Sequence, residues 1–419
     1  MSEAFEVDAE RLRRELGELA AMTDAEPAVD GTAVTRVVFS RRDMQVRAWL
    51  KALGEVEGLA VREDAVGNMF LRMEGAEPEL AAVGTGSHTD AIPHAGMYDG
   101  TLGVLGGLEA MRALGRSGVR LRRPVELVMF TSEEPTRFRI GCLGSRLMGG
   151  ALDPTAADAL RDRDGQTLAE VRARVGFAGD LASTRLAEGH YSGWVELHIE
   201  QGPLLEREGV GVGVVTSIAA PAGYRFTIEG LGGHAGALLM PDRRDALCAA
   251  AEVILAVERH ALGVGATDTV ATIGTCGVYP GAVNSVPSRV VLELDIRDTD
   301  PERRERAMRD LRSSITEIRA RRGVRIGEKM VNADMPAQSS DEIVTAIEAV
   351  CGELGIGSRR MVSRAYHDSL FMARIAPIAM IFIPCRSGVS HRPDEFAAAP
   401  DIVRGVQVLA GTLARLASR

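Results

Sequence analysis

The chain has 419 residues and a net charge of −9, with 46% hydrophobic and 26% charged residues. That balance suits an ordinary globular protein, and the length suits two domains better than one core. Only Lys51 and Lys329 are lysines, and the arginines are scattered among acids, which argues against nucleic acid or an anionic membrane as a partner. No apolar run approaches the roughly 20 residues that cross a bilayer. The opening MSEAFEVDAERLRREL lacks the basic-then-apolar order of a signal peptide, so the expected location is cytoplasmic. Cys142, Cys248, Cys276, Cys351 and Cys385 are sparse and widely spaced. They fit a reducing compartment and small buried apolar residues, with no disulfide framework or zinc ribbon.

In chain order, Leu12, Leu16, Leu19 and Met22 predict a first helix, the segment Thr32 to Ser40 a loop, and Asp43 to Leu53 a second helix. Leu59 to Arg62 and Asn68 to Met73 are expected to be paired strands. A short apolar run, Leu80 to Val83, leads into Gly84 to Gly103, GTGSHTDAIPHAGMYDGTLG. This stretch is expected to be a long loop presenting His88 and Asp99. Leu102, Leu105, Leu108, Met111 and Leu114 then define a helical face. Pro124 to Thr131 is a buried strand, followed by Ser132, Glu133 and Glu134. Loops and helices fill Arg137 to Leu186, with Asp153 to Arg174 as a solvated helical face. Val195 to Ile199 is a short apolar run that contains His198.

From about Gly211 to Gly327 the order is strand, helix, strand, strand, helix. Tyr224 to Glu229, Val270 to Gly274 and Val290 to Arg297 are the strands. Pro241 to Arg259 is a helix with Pro241 in its first turn, and Asp300-Pro301 opens another. The turn-rich GVYPGAVNSVPS links two of the strands. After Asn332, Ser339 and Glu342 suggest a capping box, Ile378 to Ile383 a buried strand, and Ala399 to Leu416 a last helix. The fold class is therefore α/β. A discontinuous catalytic domain, 1–211 and 328–419, is interrupted by a smaller α+β domain, 212–327.

The chemistry-bearing residues that follow apolar strands are His88, Asp99, Glu133, Glu134, His198 and His391. Imidazoles and carboxylates are the ligands of Zn²⁺, Mn²⁺ or Co²⁺. Carboxylates gathered in a cleft would be costly without a cation. Each residue alone has an ordinary reading, a hydrogen-bonded histidine or a solvated loop, and the set is what carries the metal reading.

GSHTD…MYDG, TSEEPTRF, ELHIEQGP, GLGGHAG, GAVNSVP…LDIRD and SHRPDEF together resemble the hydantoinase/carbamoylase branch of the M20 metallopeptidase family, in order from about residue 80 to 396. The resemblance implies a zinc-peptidase-like catalytic domain with an inserted lid or dimerisation domain, and a homodimer. It implies two divalent ions per subunit, His88 and His198 on one, Glu134 and His391 on the other, and Asp99 bridging them. It implies Glu133 as general base. It makes His234, from the partner subunit, a donor to the tetrahedral oxyanion beside the metals. Gln201, Asn284 and Arg297 match substrate-binding positions, with Arg297 suited to a carboxylate, and His367 falls near the substrate. His94, His190 and His260 match no motif and read as structural. Arg139, Arg364 and Tyr366 depart from the family pattern and bear on substrate identity.

The activity implied is hydrolysis of the linear C–N bond of an N-carbamoyl (ureido) carboxylate, with release of ammonia and carbon dioxide. Ureidoglycolate is slightly favoured over an N-carbamoyl-L-amino acid. Allantoate is an alternative substrate, and a dipeptidase is disfavoured by HIEQGP. A non-catalytic dimeric binding protein would show lost ligands, and none of these is missing.

Overall fold

In the computed structural model the described residues are 5–419. The chain forms two compact units. One runs through Ser217 and resumes at Gln338–Ser363 and His367–Arg419, and the other comprises Ile218–Ala337 with Arg364–Tyr366.

The first unit holds β1 (Val34–Arg36), β2 (Ala60–Glu63), β3 (Met69–Met73), β4 (Ala82–His88), β5 (Ala91–Ala95), β6 (Val125–Phe130), β7 (Tyr191–Ile199) and β8 (Val212–Ile218). In the second lie β9 (Ala220–Glu229), β10 (Gly233–His234), β11 (Val270–Tyr279), β12 (Ser285–Val286), β13 (Arg289–Asp298) and β14 (Arg325–Ala333). The chain ends with β15 (Ala337–Gln338), β16 (Ser358–Ser363) and β17 (Ile378–Ile383). Among the described residues the large sheet has nine strands, in the order β15-β8-β17-β7-β4-β6-β3-β2, with β16 on β8. Its centre, β17-β7-β4-β6, is parallel.

Strands β4, β6 and β17 are buried along their whole length, as parallel strands covered on both faces are. The helices Thr101–Ser117 and Ala399–Ala417 pack into the same core, with Leu105, Leu108, Leu127, Leu197, Ile381, Val406 and Leu409 inaccessible. Helix Thr101–Ser117 starts at Gly100, whose φ of 67° is left-handed. A Cβ there would stand 2.3 Å from His88 Nε2, so only glycine can join this helix to this histidine.

The second unit is a four-stranded antiparallel sheet, β11-β13-β9-β14, against helices Ala246–Gly263 and Pro301–Arg322. The alternation along β13 buries Val290, Leu292, Leu294 and Ile296 in a separate core.

Several expectations change. The division falls at 217/218 and 337/338, not at 211/212 and 327/328, because β8 belongs to the large sheet and β14 completes the small one. Gly84–His88 is strand, not loop, and Ala91–Ala95 pairs with Val34–Arg36 inside the expected Thr32 to Ser40 loop. His198 lies in a nine-residue strand. Pro241 sits in an isolated 3₁₀ turn, and the helix begins after Asp245, whose carboxylate caps Leu247 N and Cys248 N. The residue preceding helix Asp341–Glu353 is Ser340, with no side-chain cap. Ser339 Oγ instead donates to Val215 O at 2.7 Å. GVY of the turn-rich link continues β11. Part of the acidic stretch is not solvated: Leu168 and Val171 are buried in a small satellite cluster. Cys248 and Cys276 are exposed, while Cys142, Cys351 and Cys385 are buried.

Candidate active site

The carboxyl ends of the parallel strands deliver the polar residues, the usual place for a site in an open α/β sheet. His88 is the last residue of β4, and His198 is the penultimate residue of β7. Glu133 and Glu134 follow β6, Gln201 follows β7, and His391 follows β17. Ser132, Gln201 and His391 have φ of 57°, 53° and 59°. Left-handed backbone at non-glycine residues costs energy and clusters at functional sites.

Asp99 is the centre. Its Oδ1 lies 3.6 Å from His88 Nε2 and 3.3 Å from His198 Nε2. Its Oδ2 lies 3.4 Å from His391 Nε2, which is 3.2 Å from Glu134 Oε1. The ligand atoms of His88, Asp99 and His198 all fall within 4.8 Å of one another, as do those of Asp99, Glu134 and His391. These separations exceed the roughly 2.7–2.9 Å of a strong charge-assisted hydrogen bond. They are the spacing of neighbouring ligands around ions held at about 2.0–2.2 Å.

The opposite ring nitrogens support the same arrangement. His88 Nδ1 is 3.0 Å from Asp90 O, and His198 Nδ1 is 2.9 Å from Ile199 O. Those carbonyl contacts fix the two rings with Nε2 turned toward Asp99, the usual arrangement around a metal-ligating histidine. The donor set, imidazoles and carboxylates converging on one buried aspartate, fits divalent metal.

A second layer holds these groups. Asp90 accepts from Glu133 N and Glu134 N, both at 3.1 Å, and so fixes the two-glutamate turn. Glu395 Oε1 accepts from Tyr98 N at 2.7 Å and Asp99 N at 3.1 Å. Ser390 Oγ lies within hydrogen-bond reach of both Asp99 Oδ2 and Glu395 Oε2, and Gln201 Nε2 donates to Asp99 Oδ2 at 2.7 Å. Asp90, Ser390 and Glu395 were not among the expected site residues. All three stand inside quoted motifs, GSHTD and SHRPDEF, and that was their only sequence signal.

Electrostatics follow from burial. Glu133 is held well above the carboxylate range by burial, with Glu134, Asp368 and Asp90 adding repulsion against the pull of His88. Burial pushes Asp90 and Glu395 each to about 7. For Asp99 burial acts upward, but His198 and His88 outweigh it and hold the group well below its usual value. His391 is pushed up to about 9, chiefly by its hydrogen bond to Glu134.

His367 lies in the same unit. Its ring centroid is 4.5 Å from that of His198, and its Nε2 is 3.0 Å from Ser363 Oγ. His234, Asn284 and Arg297 belong to the second unit. His234 pairs with Ser285 across β10 and β12, and Ala235 N donates to Asn284 O at 2.9 Å, so His234 and Asn284 sit side by side on one two-stranded ladder. Asp295 holds Arg297 through two bonds of 2.8 and 3.2 Å, and the guanidinium lies 5.7 Å from the Tyr366 ring centroid. Arg364 pairs with Asp268, and Arg139 is exposed. His94 N donates to Thr35 Oγ1, His190 packs edge-on against Tyr191, and His260 bonds Ser314.

The model of "Peptidase family M20/M25/M40" matches residues 84–415. The chain belongs to the M20/M25/M40 peptidase family. It is 49% identical to ureidoglycolate hydrolase of Oryza sativa subsp. japonica, over 99% of this chain and 86% of that one. It is 39% identical to N-carbamoyl-L-amino acid amidohydrolase of Geobacillus stearothermophilus, over 92% and 93%. Crystal structures of AtUAH, in complex with glyoxylate and with (S)-hydroxyglycine, superpose with a TM-score of 0.87 at 47% identity, over 99% of each chain. Within the M20 family the chain falls in the hydantoinase/carbamoylase branch and is a hydrolase of amide and ureido C–N bonds. The M20 fold is the α/β architecture described, and the family's metal dependence agrees with the two ligand sets that meet at Asp99.

Proposed function

We propose that this M20 enzyme is a binuclear amidohydrolase that removes the terminal nitrogen of ureidoglycolate. The observation that supports it most is Asp99, a single buried carboxylate with a different ligand set on each oxygen. His88 and His198 would hold one divalent ion and Glu134 and His391 the other, with Asp99 shared. When bound, such ions supply Lewis-acid polarisation of the ureido carbonyl and acidify water at the site.

The chain's own residues do the rest. Glu133 Oε2, 3.7 Å from His88 Nε2, accepts the proton of the attacking water. Its raised pKa suits a group that must also return that proton to the departing ammonia. Gln201 orients Asp99. His234, Asn284 and Arg297 take the substrate-binding roles that the family resemblance implies, His234 toward the oxyanion and Arg297 toward the carboxylate. The second unit is assigned the dimerisation or lid role, and the protein a cytoplasmic homodimer. Among the described residues no helix is long and apolar enough to cross a membrane.

Ureidoglycolate stands first because identity to the rice ureidoglycolate hydrolase exceeds that to the N-carbamoyl-L-amino acid enzyme. The latter similarity keeps an N-carbamoyl-L-amino acid as the second reading. The test is ammonia release in the presence of Mn²⁺ from ureidoglycolate, allantoate and several N-carbamoyl-L-amino acids. Release from ureidoglycolate at the highest kcat/KM is expected. Preference for an N-carbamoyl-L-amino acid would move the assignment there, and silence with every substrate would end the ureido reading.

A further inference from the structure

A carboxylate that serves as base must present one oxygen to the water it deprotonates. The loop after Glu133 and Glu134 returns at Cys142 and closes a short ladder. Cys142 N donates to Glu133 O at 2.7 Å, Leu143 N to Ser132 O at 2.9 Å, and Gly144 N to Thr131 O at 2.9 Å. Cys142 has a left-handed φ of 55°, and its Sγ lies 3.3 Å from Glu133 Oε1. The other oxygen, Oε2, faces His88. Both side chains are buried.

We infer that Cys142 is a positioning residue for the base: its thiol donates to Glu133 Oε1 and keeps Oε2 turned toward the His88 side. This rests on Glu133 being the base. A thiol is a weak donor. It can fix the rotation of the carboxylate without the strong stabilisation of the charged form that would cost basicity. Burial, and then the charge of Glu133, push the Cys142 thiol well above its ordinary range. The group therefore stays protonated and acts as a donor, with no thiolate available as nucleophile. A buried cysteine that only fills space would have no need of this contact.

The experiment uses the full, metal-loaded chain and ammonia release from ureidoglycolate or whichever ureido substrate the screen returns. Cys142→Ala, Cys142→Ser and Glu133→Gln are compared with wild type. The S–H stretching band of Cys142 is assigned by its loss in Cys142→Ser. For Cys142→Ala, kcat is expected to fall about tenfold, the loss of a misoriented group, with KM within about twofold and metal content unchanged. Cys142→Ser should recover part of the rate, because a hydroxyl donates to the same oxygen but, as a stronger donor, lowers the basicity of Glu133. The S–H band should shift in Glu133→Gln, and that readout needs neither turnover nor a folded alanine variant.

Wild-type kcat in Cys142→Ala, a serine variant as slow as the alanine one, or a band indifferent to Glu133→Gln would each overturn the proposal. If Glu133→Gln itself keeps wild-type kcat, the base assignment falls and the catalytic role of Cys142 falls with it. If Glu133→Gln is inactive while Cys142→Ala is unaffected, only the positioning role is lost.

Discussion

The two ligand sets that meet at Asp99 are built differently. His88 and His198 come from adjacent central strands and are 2% and 0% exposed. Each has its far nitrogen tied to a backbone carbonyl. The other set has His391, on a strained loop turn, with 46% of its side chain exposed. Glu134 beside it is buried, but it sits on a turn held by Asp90. The inner set is therefore part of the sheet core, while the outer set is part of the loops. Under the proposed assignment, an ion on the inner side would be held by a preorganised pair, and one on the outer side by a histidine that solvent can reach.

The largest effect should separate the two histidines. His198→Ala removes an inner ligand and leaves only His88 beside Asp99 Oδ1. Activity is expected to fall by more than about 100-fold, beyond the 10–100-fold typical of outer-shell losses, and the Tm of the metal-free protein should fall as well. His391→Ala should also lose activity but leave that Tm nearly unchanged. Calorimetry on both variants decides it, and equal Tm losses would break the contrast.

Next is Glu395→Gln. Glu395 holds the Asp99 backbone, so weaker binding of both ions is expected, by about 10–100-fold, measured by metal titration. Loss confined to one ion would mean that Asp99 is not shared. A milder treatment is stepwise chelation of wild type. Metal per subunit should pause near one as the outer ion leaves first, whereas loss of both in a single step would contradict the ordering.

The smallest effect is a pH dependence. The folded-state pKa of His391, about 9 against an ordinary 6.5, means that its proton stabilises the metal-free fold. That contribution is complete below pH 6.5 and disappears as pH rises through about 9. The Tm of metal-free wild type should decline over this window more than that of His391→Gln. Half-exposure of the side chain keeps the difference small, and parallel curves would show that the Glu134 pairing contributes nothing.

Residue patterns along the chain were enough to read the α/β class, the strand over Ile378 to Ile383, the helix after Asp99, and every residue of the two ligand sets. Glu134 and His198 follow or end an apolar run, which is a local signal, while the two sets in which the ligands group came from the family resemblance. GTGSHTDAIPHAGMYDGTLG shows where locality stops. Its first five residues lack alternation and were expected to be loop, yet they form β4. A strand flanked on both sides takes its ladder from β6 and β7 and its burial from the helices that cover it, not from its own side-chain pattern.

The supporting contacts were hidden for the same reason. Asp90 reaches Glu133 across 43 residues, and Glu395 reaches Asp99 across 296. The pairing of Cys142 with Glu133 depends on a loop closing back on its own start. The sequence alone determined which chemistry the ligands can do, because that is set by residue type. Only the tertiary structure decided which oxygen of Asp99 faces which histidine and what holds each group in place, because hydrogen bonds between distant segments exist only once the sheet has assembled.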